Sequence, residues 1–147
     1  MVIKALFLAI LFDDTRYAAF SELELDQRYA DLCLLVRPEM RRHGFFDILF
    51  EFKLVRRAEL GKTGEELRAM DDDALRELKP VSSALESARK QVQRYREALV
   101  KKFSEAEPRC YTVVAVGLER VVGEEVSDAA ESASEHRPPC RKRPCVG

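Results

Sequence analysis

Five polar side chains stand at positions where the surrounding pattern calls for apolar ones: Asp31, Glu51, Lys53, Gln91 and Tyr95. Glu51 and Lys53 belong to Asp47-Ile48-Leu49-Phe50-Glu51-Phe52-Lys53, an apolar, aromatic run that reads as a β-strand after a turn signal at Gly44. Side chains alternate along a strand, so Asp47, Leu49, Glu51 and Lys53 share one face and Ile48, Phe50 and Phe52 the other. Charges on such a strand are costly to bury unless they are paired or bound to a metal. Two carboxylates from neighbouring strands, Asp31 and Glu51, can clamp one hard divalent cation. Magnesium suits this arrangement, because it prefers oxygen ligands and keeps several waters. A bound cation lowers the pKa of a coordinated water and offsets charge developing on a phosphate. A lysine beside it can orient that water, help deprotonate it or stabilise the charge. A plainer reading stays open for each residue. Glu51 and Lys53 can form an edge-strand ion pair. Asp31 can accept hydrogen bonds from a turn, and Gln91 and Tyr95 can be the boundary and core of an amphipathic helix.

The elements that must position these residues follow from periodicity. Val2 to Phe12 is almost wholly apolar and is expected to be a buried helix rather than a signal peptide. Arg16 to Leu25 reads as a first strand, with Ser21, Leu23 and Leu25 on one side and Glu22 and Glu24 on the other. Tyr29 to Val36 reads as a central strand covered on both faces and interrupted only by Asp31. Pro38 to Gly44 is a turn carrying Arg41, Arg42 and His43, with His43 a loop residue. The third strand extends to about Val55, followed by Arg56 and Arg57. An inserted polar segment at about 61–80 has a capping-box pattern at Thr63 and Glu66. Its Asp71-Asp72-Asp73 run lacks the spacing of a calcium loop and reads as a helix cap. The strongest helix is expected from Ser82 to Phe103, capped by Ser82 or Ser83, with Leu85, Ala88, Val92, Tyr95, Leu99 and Phe103 recurring every three or four residues. Gln91 and Tyr95, four apart, share a face of it. Tyr111 to Leu118 is a buried strand and Glu119 to Val126 a short edge strand. The order helix, three strands, helix, strand predicts an α/β layer fold with a mixed sheet.

Length and composition bound the rest. A chain of 147 residues with 46% hydrophobic side chains suits one domain with a real core. We expect it over residues 1–126, followed by a polar tail, 127–147, too poor in apolar surface to order itself. The net charge of −1 excludes a global basic field, so a nucleic-acid partner must be met by a local patch or another domain. No apolar run approaches the roughly 20 residues of a membrane span. Cys33 and Cys110 fall inside predicted strands and read as small buried hydrophobes, a usage that suits a reducing cytoplasm. His136, Cys140 and Cys145 in the tail match no standard zinc spacing.

With these residues placed, a resemblance emerges. Asp31, nineteen residues, then Glu51-Phe52-Lys53 resembles the D…(D/E)-x-K signature of the PD-(D/E)XK nucleases, and Gln91-x-x-x-Tyr95 resembles the QxxxY motif of their RecB-like branch. SELELDQRYADLCLLV, ILFEFKLV, SARKQVQRYREAL and YTVVAVGLERVV are similar to the nuclease domain often found C-terminal to AAA-type ATPase domains in bacteria. The resemblance implies a restriction-endonuclease-like core, α-β-β-β-α-β, and hydrolysis of nucleic-acid phosphodiesters with Mg2+ or Mn2+, DNA being favoured. It makes Asp31 and Glu51 metal ligands with the Phe52 carbonyl, Lys53 the partner of the attacking water, and Gln91 and Tyr95 positioning groups. The family's extra acidic residue on the first helix has no counterpart in Val2 to Phe12, and Glu22 is the candidate replacement. Arg41, Arg42, Arg56 and Arg57, with Arg89 and Arg94, are candidate phosphate contacts. An AAA-type ATPase domain outside this chain is an implied partner. The alternative is a degenerate or truncated nuclease-like domain that binds nucleic acid or protein without cleaving.

Overall fold

The computed structural model describes residues 2–11, 13–25 and 28–127, with backbone alone for Arg28 and Tyr29. In chain order these form α1 (Val2–Leu11), β1 (Tyr17–Leu25), β2 (Arg28–Val36), a 3-10 turn (Pro38–His43), β3 (Asp47–Val55), α2 (Arg57–Leu60), α3 (Gly64–Ala69), α4 (Asp72–Glu77), α5 (Lys79–Lys102), β4 (Pro108–Val116) and β5 (Arg120–Val126). The strands make one sheet in sequence order; β3 and β4 are parallel and the other neighbours antiparallel. A mixed α/β fold with helices flanking a five-stranded sheet is therefore what the chain adopts. The parallel pair requires a crossover, and α2 to α5 supply it. The tail beyond Ser127, with His136, Cys140 and Cys145, lies outside the described residues. Among the described residues no helix is long and apolar enough to cross a membrane.

Each face of the sheet is closed by a helix whose apolar spacing fits it. Val92, Tyr95 and Leu99 of α5 pack on Cys33, Leu35, Leu49 and Cys110. Val81 and Leu85 of α5 pack on Val55, Val114, Val116 and Val122, joined by Leu67 of α3 and Leu75 of α4. Leu32, Leu34, Phe50, Phe52 and Val113 point to the opposite face, where Ile3, Phe7, Leu8 and Leu11 of α1 cover them. The Phe7 ring meets Phe50 and Phe52 edge-on at centroid distances of 5.5 and 5.2 Å. The alternation expected along β3 is thus the one observed.

Two expectations need correction. The long helix begins at Lys79, not Ser82, and Leu78 rather than a serine precedes it. Pro80 sits in the first turn, where its missing N–H has no intrahelical partner to lose. Helix α1 is not buried. It covers one face of the sheet with one side, and Val2, Leu6 and Ile10 on its other side are exposed. The capping expectations for the inserted segment hold: Thr63 and Glu66 form a capping box on α3, and Asp71 accepts from the Ala74 N–H of α4. Gly44, at φ 73°, ends the 3-10 turn in the left-handed region and directs the chain into β3.

Candidate active site

A polar row crosses the α5-facing side of the sheet. Glu51 of β3 is in register with Thr112 of β4, which is in register with Glu124 of β5. On one side of this row lie Leu49, Cys110 and Val126, on the other Val114 and Val122. The row therefore divides the two apolar clusters beneath α5. On the β2 side the ladder runs Leu34 to Ile48, then Leu32 to Phe50, so Asp31 falls next to Glu51. The sequence places Glu51 and Lys53 on one face of β3, and the strand register sets Asp31 of β2 beside them.

Glu51 is the centre of the site. Its side chain is only 4% exposed, and Lys53 Nζ donates to Oε1 at 2.8 Å. Oε2 is buried and meets no donor. An unsatisfied buried oxygen is rare and costly in a native structure, which makes it informative. Desolvation by burial pushes the Glu51 carboxyl above its ordinary range, and the Asp31 charge adds to this while Lys53 opposes it. Lys53, 28% exposed, connects this interior carboxylate to solvent.

Asp31 serves the end of a ladder. Continuing the β2–β3 register would pair Ala30 with Phe52, but the strands part first. Asp31 Oδ2 accepts the Phe52 N–H at 2.9 Å in place of the missing carbonyl. One oxygen is thus met by a backbone donor, but from the neighbouring strand and not from a turn as expected; among the described residues no donor meets the other. A residue's N–H and C=O point to the same neighbouring strand, so the Phe52 carbonyl also faces the gap beside Asp31. The strands part because the β1–β2 hairpin bends. Leu23, Leu25 and Ala30 join the cluster under α5, and Lys102 at the end of α5 donates to the Glu24 carbonyl. The bend coincides with Glu22, whose φ of 62° is left-handed. Its carboxylate points away from Asp31 and bonds Lys4 of α1 at 2.9 Å, which holds its pKa below the usual range. Glu22 is therefore not part of the assembled site.

Helix α5 brings the remaining candidates. Its residues around Val81 and Leu85 lie over Val55 and Val114, and those from Val92 onward over Leu49 and Cys110. Ala88 and Gln91 fall between these two stretches of the helix. Gln91 Oε1 is a second buried acceptor without a donor. Tyr95 is one turn further on, packed into the apolar cluster with Leu49 and Cys33. Cys33 and Cys110 are free, buried thiols pushed up to about 12 and about 11 by desolvation, and so are inert fillers of that cluster.

The basic candidates are scattered. Arg41 belongs to the scaffold: it grips Asp47 with two nitrogens and bonds the Glu105 carbonyl at 2.7 Å. Arg42 lies in the same turn, at the end of β3 remote from Lys53. Arg57 pairs with Glu119 at 3.7 Å, and Arg56 is an exposed residue preceding α2. Arg89 is engaged by Glu124 together with Arg76. Sequence reasoning missed Thr112, Glu124 and the structural role of Asp47. A lone Thr and a lone Glu on strands carry no signal until register aligns them with Glu51.

The donor set suits a hard cation in part. Glu51 Oε2 and the second oxygen of Asp31 are anionic oxygens without donors beside a strand carbonyl, the kind of ligands magnesium takes with waters. Among the described residues no three His, Cys, Asp or Glu side chains converge as a metal cluster. Comparison with family models, curated proteins and solved structures returns no match for this chain.

Proposed function

We propose that this chain is a divalent-cation-dependent phosphodiesterase acting on nucleic acid, DNA foremost, on a restriction-endonuclease-like PD-(D/E)XK core. The observation that carries the proposal is the Glu51 carboxylate. It is buried at a polar break between two apolar clusters, with one oxygen on Lys53 and the other unsatisfied. A protein gains no stability by burying such a group without a donor; a ligand that completes it gives the arrangement a purpose. The element order, with an antiparallel β1–β2–β3 unit and a helical crossover to parallel β4, supports the family resemblance.

Magnesium or manganese, when bound, supplies Lewis acidity to the attacking water and to the phosphate. Asp31 and Glu51 would hold it, with the Phe52 carbonyl on the same side of β3. Lys53, at the mouth of the site, opposes the rise in the Glu51 pKa by donating to it and can orient water or meet a phosphate oxygen. Gln91, with a buried amide oxygen lacking a donor, is the helix residue that would orient the substrate. Arg56, exposed just past the Lys53 end of β3, is the candidate cation for backbone phosphates, whereas Arg42 lies at the other end of the strand.

A second reading is a binding module that no longer cleaves, and the absence of a third converging ligand among the described residues favours it. Cleavage of labelled single- and double-stranded DNA and RNA in Mg2+, Mn2+ or EDTA separates the two. The enzyme reading expects metal-dependent cleavage that disappears in both Glu51→Gln and Lys53→Ala. Retention of nucleic-acid binding by folded wild type without cleavage in either metal decides for the module.

A further inference from the structure

Helix α1 covers less of its face of the sheet than α5 covers of the other. It lies over Leu32 and Leu34 of β2 and Phe50 and Phe52 of β3. A helix with its side chains is about 10 Å wide and strands lie about 4.8 Å apart, so one helix shields roughly two of the five. On the same face, Leu54 of β3, Ala115 of β4 and Val121 of β5 are in register and form an apolar row. Leu54 and Val121 remain exposed. The helix carries a matching stripe. Lys4, its one charged residue, bonds Glu22 of β1, so that flank of α1 faces β1. At about 100° per residue, Val2, Leu6 and Ile10 fall on the other flank, toward β4 and β5. They are 81%, 56% and 71% exposed. Ala5 and Ala9, also exposed, form the outward side of the helix and keep it low. Together the stripe and the row leave roughly 500 Å² of apolar surface bare, near the upper end for a monomer.

We propose that this face is the interface of a homodimer, in which α1 of each copy lies on the β4–β5 half of the other copy's sheet. A two-fold axis along the strands, between the two α1 helices, satisfies both copies at once: a helical ridge meets a flat apolar row twice. The helices then stand side by side and complete a cover that one helix provides only in part. Doubling the patch gives an interface of about 1,000 Å², the lower bound for a specific one, so the dimer is expected to dissociate reversibly. A second copy fits better than a lipid surface, because interfacial helices carry a cationic polar side and α1 has none. Glu51 and Lys53 lie on the α5 side of the sheet, so the interface stands independently of the cation site and leaves it open.

The test is sedimentation equilibrium of the full chain, from micromolar to sub-millimolar concentration, beside Leu6→Lys, Val121→Lys and Val100→Lys, each checked for folding by circular dichroism. All three replace exposed side chains, and Val100 lies on α5, on the other side of the sheet. Wild type and Val100→Lys are expected to show a reversible equilibrium between one chain and two. Leu6→Lys and Val121→Lys each enter the interface twice and are expected to weaken it by about a hundredfold or more, leaving monomer. They sit on separate elements, so if one misfolds the other decides. Wild type monomeric throughout would overturn the dimer; if that monomer also co-sediments with phosphatidylcholine vesicles, the patch belongs to a lipid surface instead. A dimer that survives Leu6→Lys or Val121→Lys, or one lost in Val100→Lys, would place the interface elsewhere and overturn the proposal equally.

Discussion

Two carboxylates four residues apart on one face of β3 are both buried, and they could hardly be treated more differently. Asp47 is surrounded by donors: the backbone N–H groups of Val36 at 2.7 Å and Glu107 at 2.8 Å, and the Arg41 guanidinium at 3.1 and 3.2 Å. It ties the ends of β2 and β3, the 3-10 turn and the entry to β4 into one corner. Glu51 has a single donor, Lys53, and an oxygen with none. Type, strand and burial are matched, so satisfaction alone separates them. A buried charge whose bonds are complete is a fastener; one whose bonds are incomplete weakens the fold that holds it.

Substitution should exaggerate the contrast. Asp47→Ala leaves Arg41 and two backbone donors without their acceptor and is expected to cost about 3–5 kcal/mol in urea unfolding. Lys53→Ala strips Glu51 of its donor and should cost about 1–3 kcal/mol, with cleavage abolished. Glu51→Gln should leave metal-free stability equal to wild type or above it, because an amide is cheaper to bury than a carboxylate. An Asp47 variant as stable as wild type, or a severely destabilised Glu51→Gln, would erase the distinction.

Acidity gives a finer test. Burial raises the Glu51 carboxyl above its ordinary value of 4.5, so the folded chain holds this proton more tightly than the unfolded chain does. Its contribution to stability is therefore complete below about pH 4.5 and is lost as pH rises through the folded value. In EDTA, Glu51→Gln should gain stability relative to wild type as pH climbs through that window, read as a widening gap in urea midpoints. A gap that stays flat would mean that Glu51 is well solvated. The smallest effect is expected at Glu124, in the same polar row. Its bonds to Arg76, Arg89 and Thr112 are complete, so Glu124→Gln should cost about 1 kcal/mol or less and leave Mn2+ affinity unchanged.

How much of this was legible depends on the range of the interactions. Alternation along β3 is local, and it placed Leu49, Glu51 and Lys53 on one face and Phe50 and Phe52 on the other. The spacing of Leu85, Val92, Tyr95 and Leu99 fixed the buried side of α5, although not its start at Lys79. The family resemblance singled out Asp31, Glu51 and Lys53, which the fold brings together. The role of Asp47 was not legible, because one donor, Glu107, comes from sixty residues downstream. Nor was the bend at Glu22: nothing in Ser21-Glu22-Leu23 announces a left-handed residue, and its cause lies in packing of the hairpin on α5 and pairing with Lys4. Thr112 and Glu124 became visible only through strand register.

The most direct test of whether the unsatisfied Glu51 oxygen is a cation seat is urea unfolding of wild type and Glu51→Gln, each with Mn2+ and with EDTA. A ligand that binds only the folded chain stabilises it by about 2.7 kcal/mol at a hundred times its dissociation constant. A cation seat at Glu51 predicts a stabilisation of this order by Mn2+ in wild type and none in Glu51→Gln. Equal shifts in both proteins, or no shift in either, would contradict it.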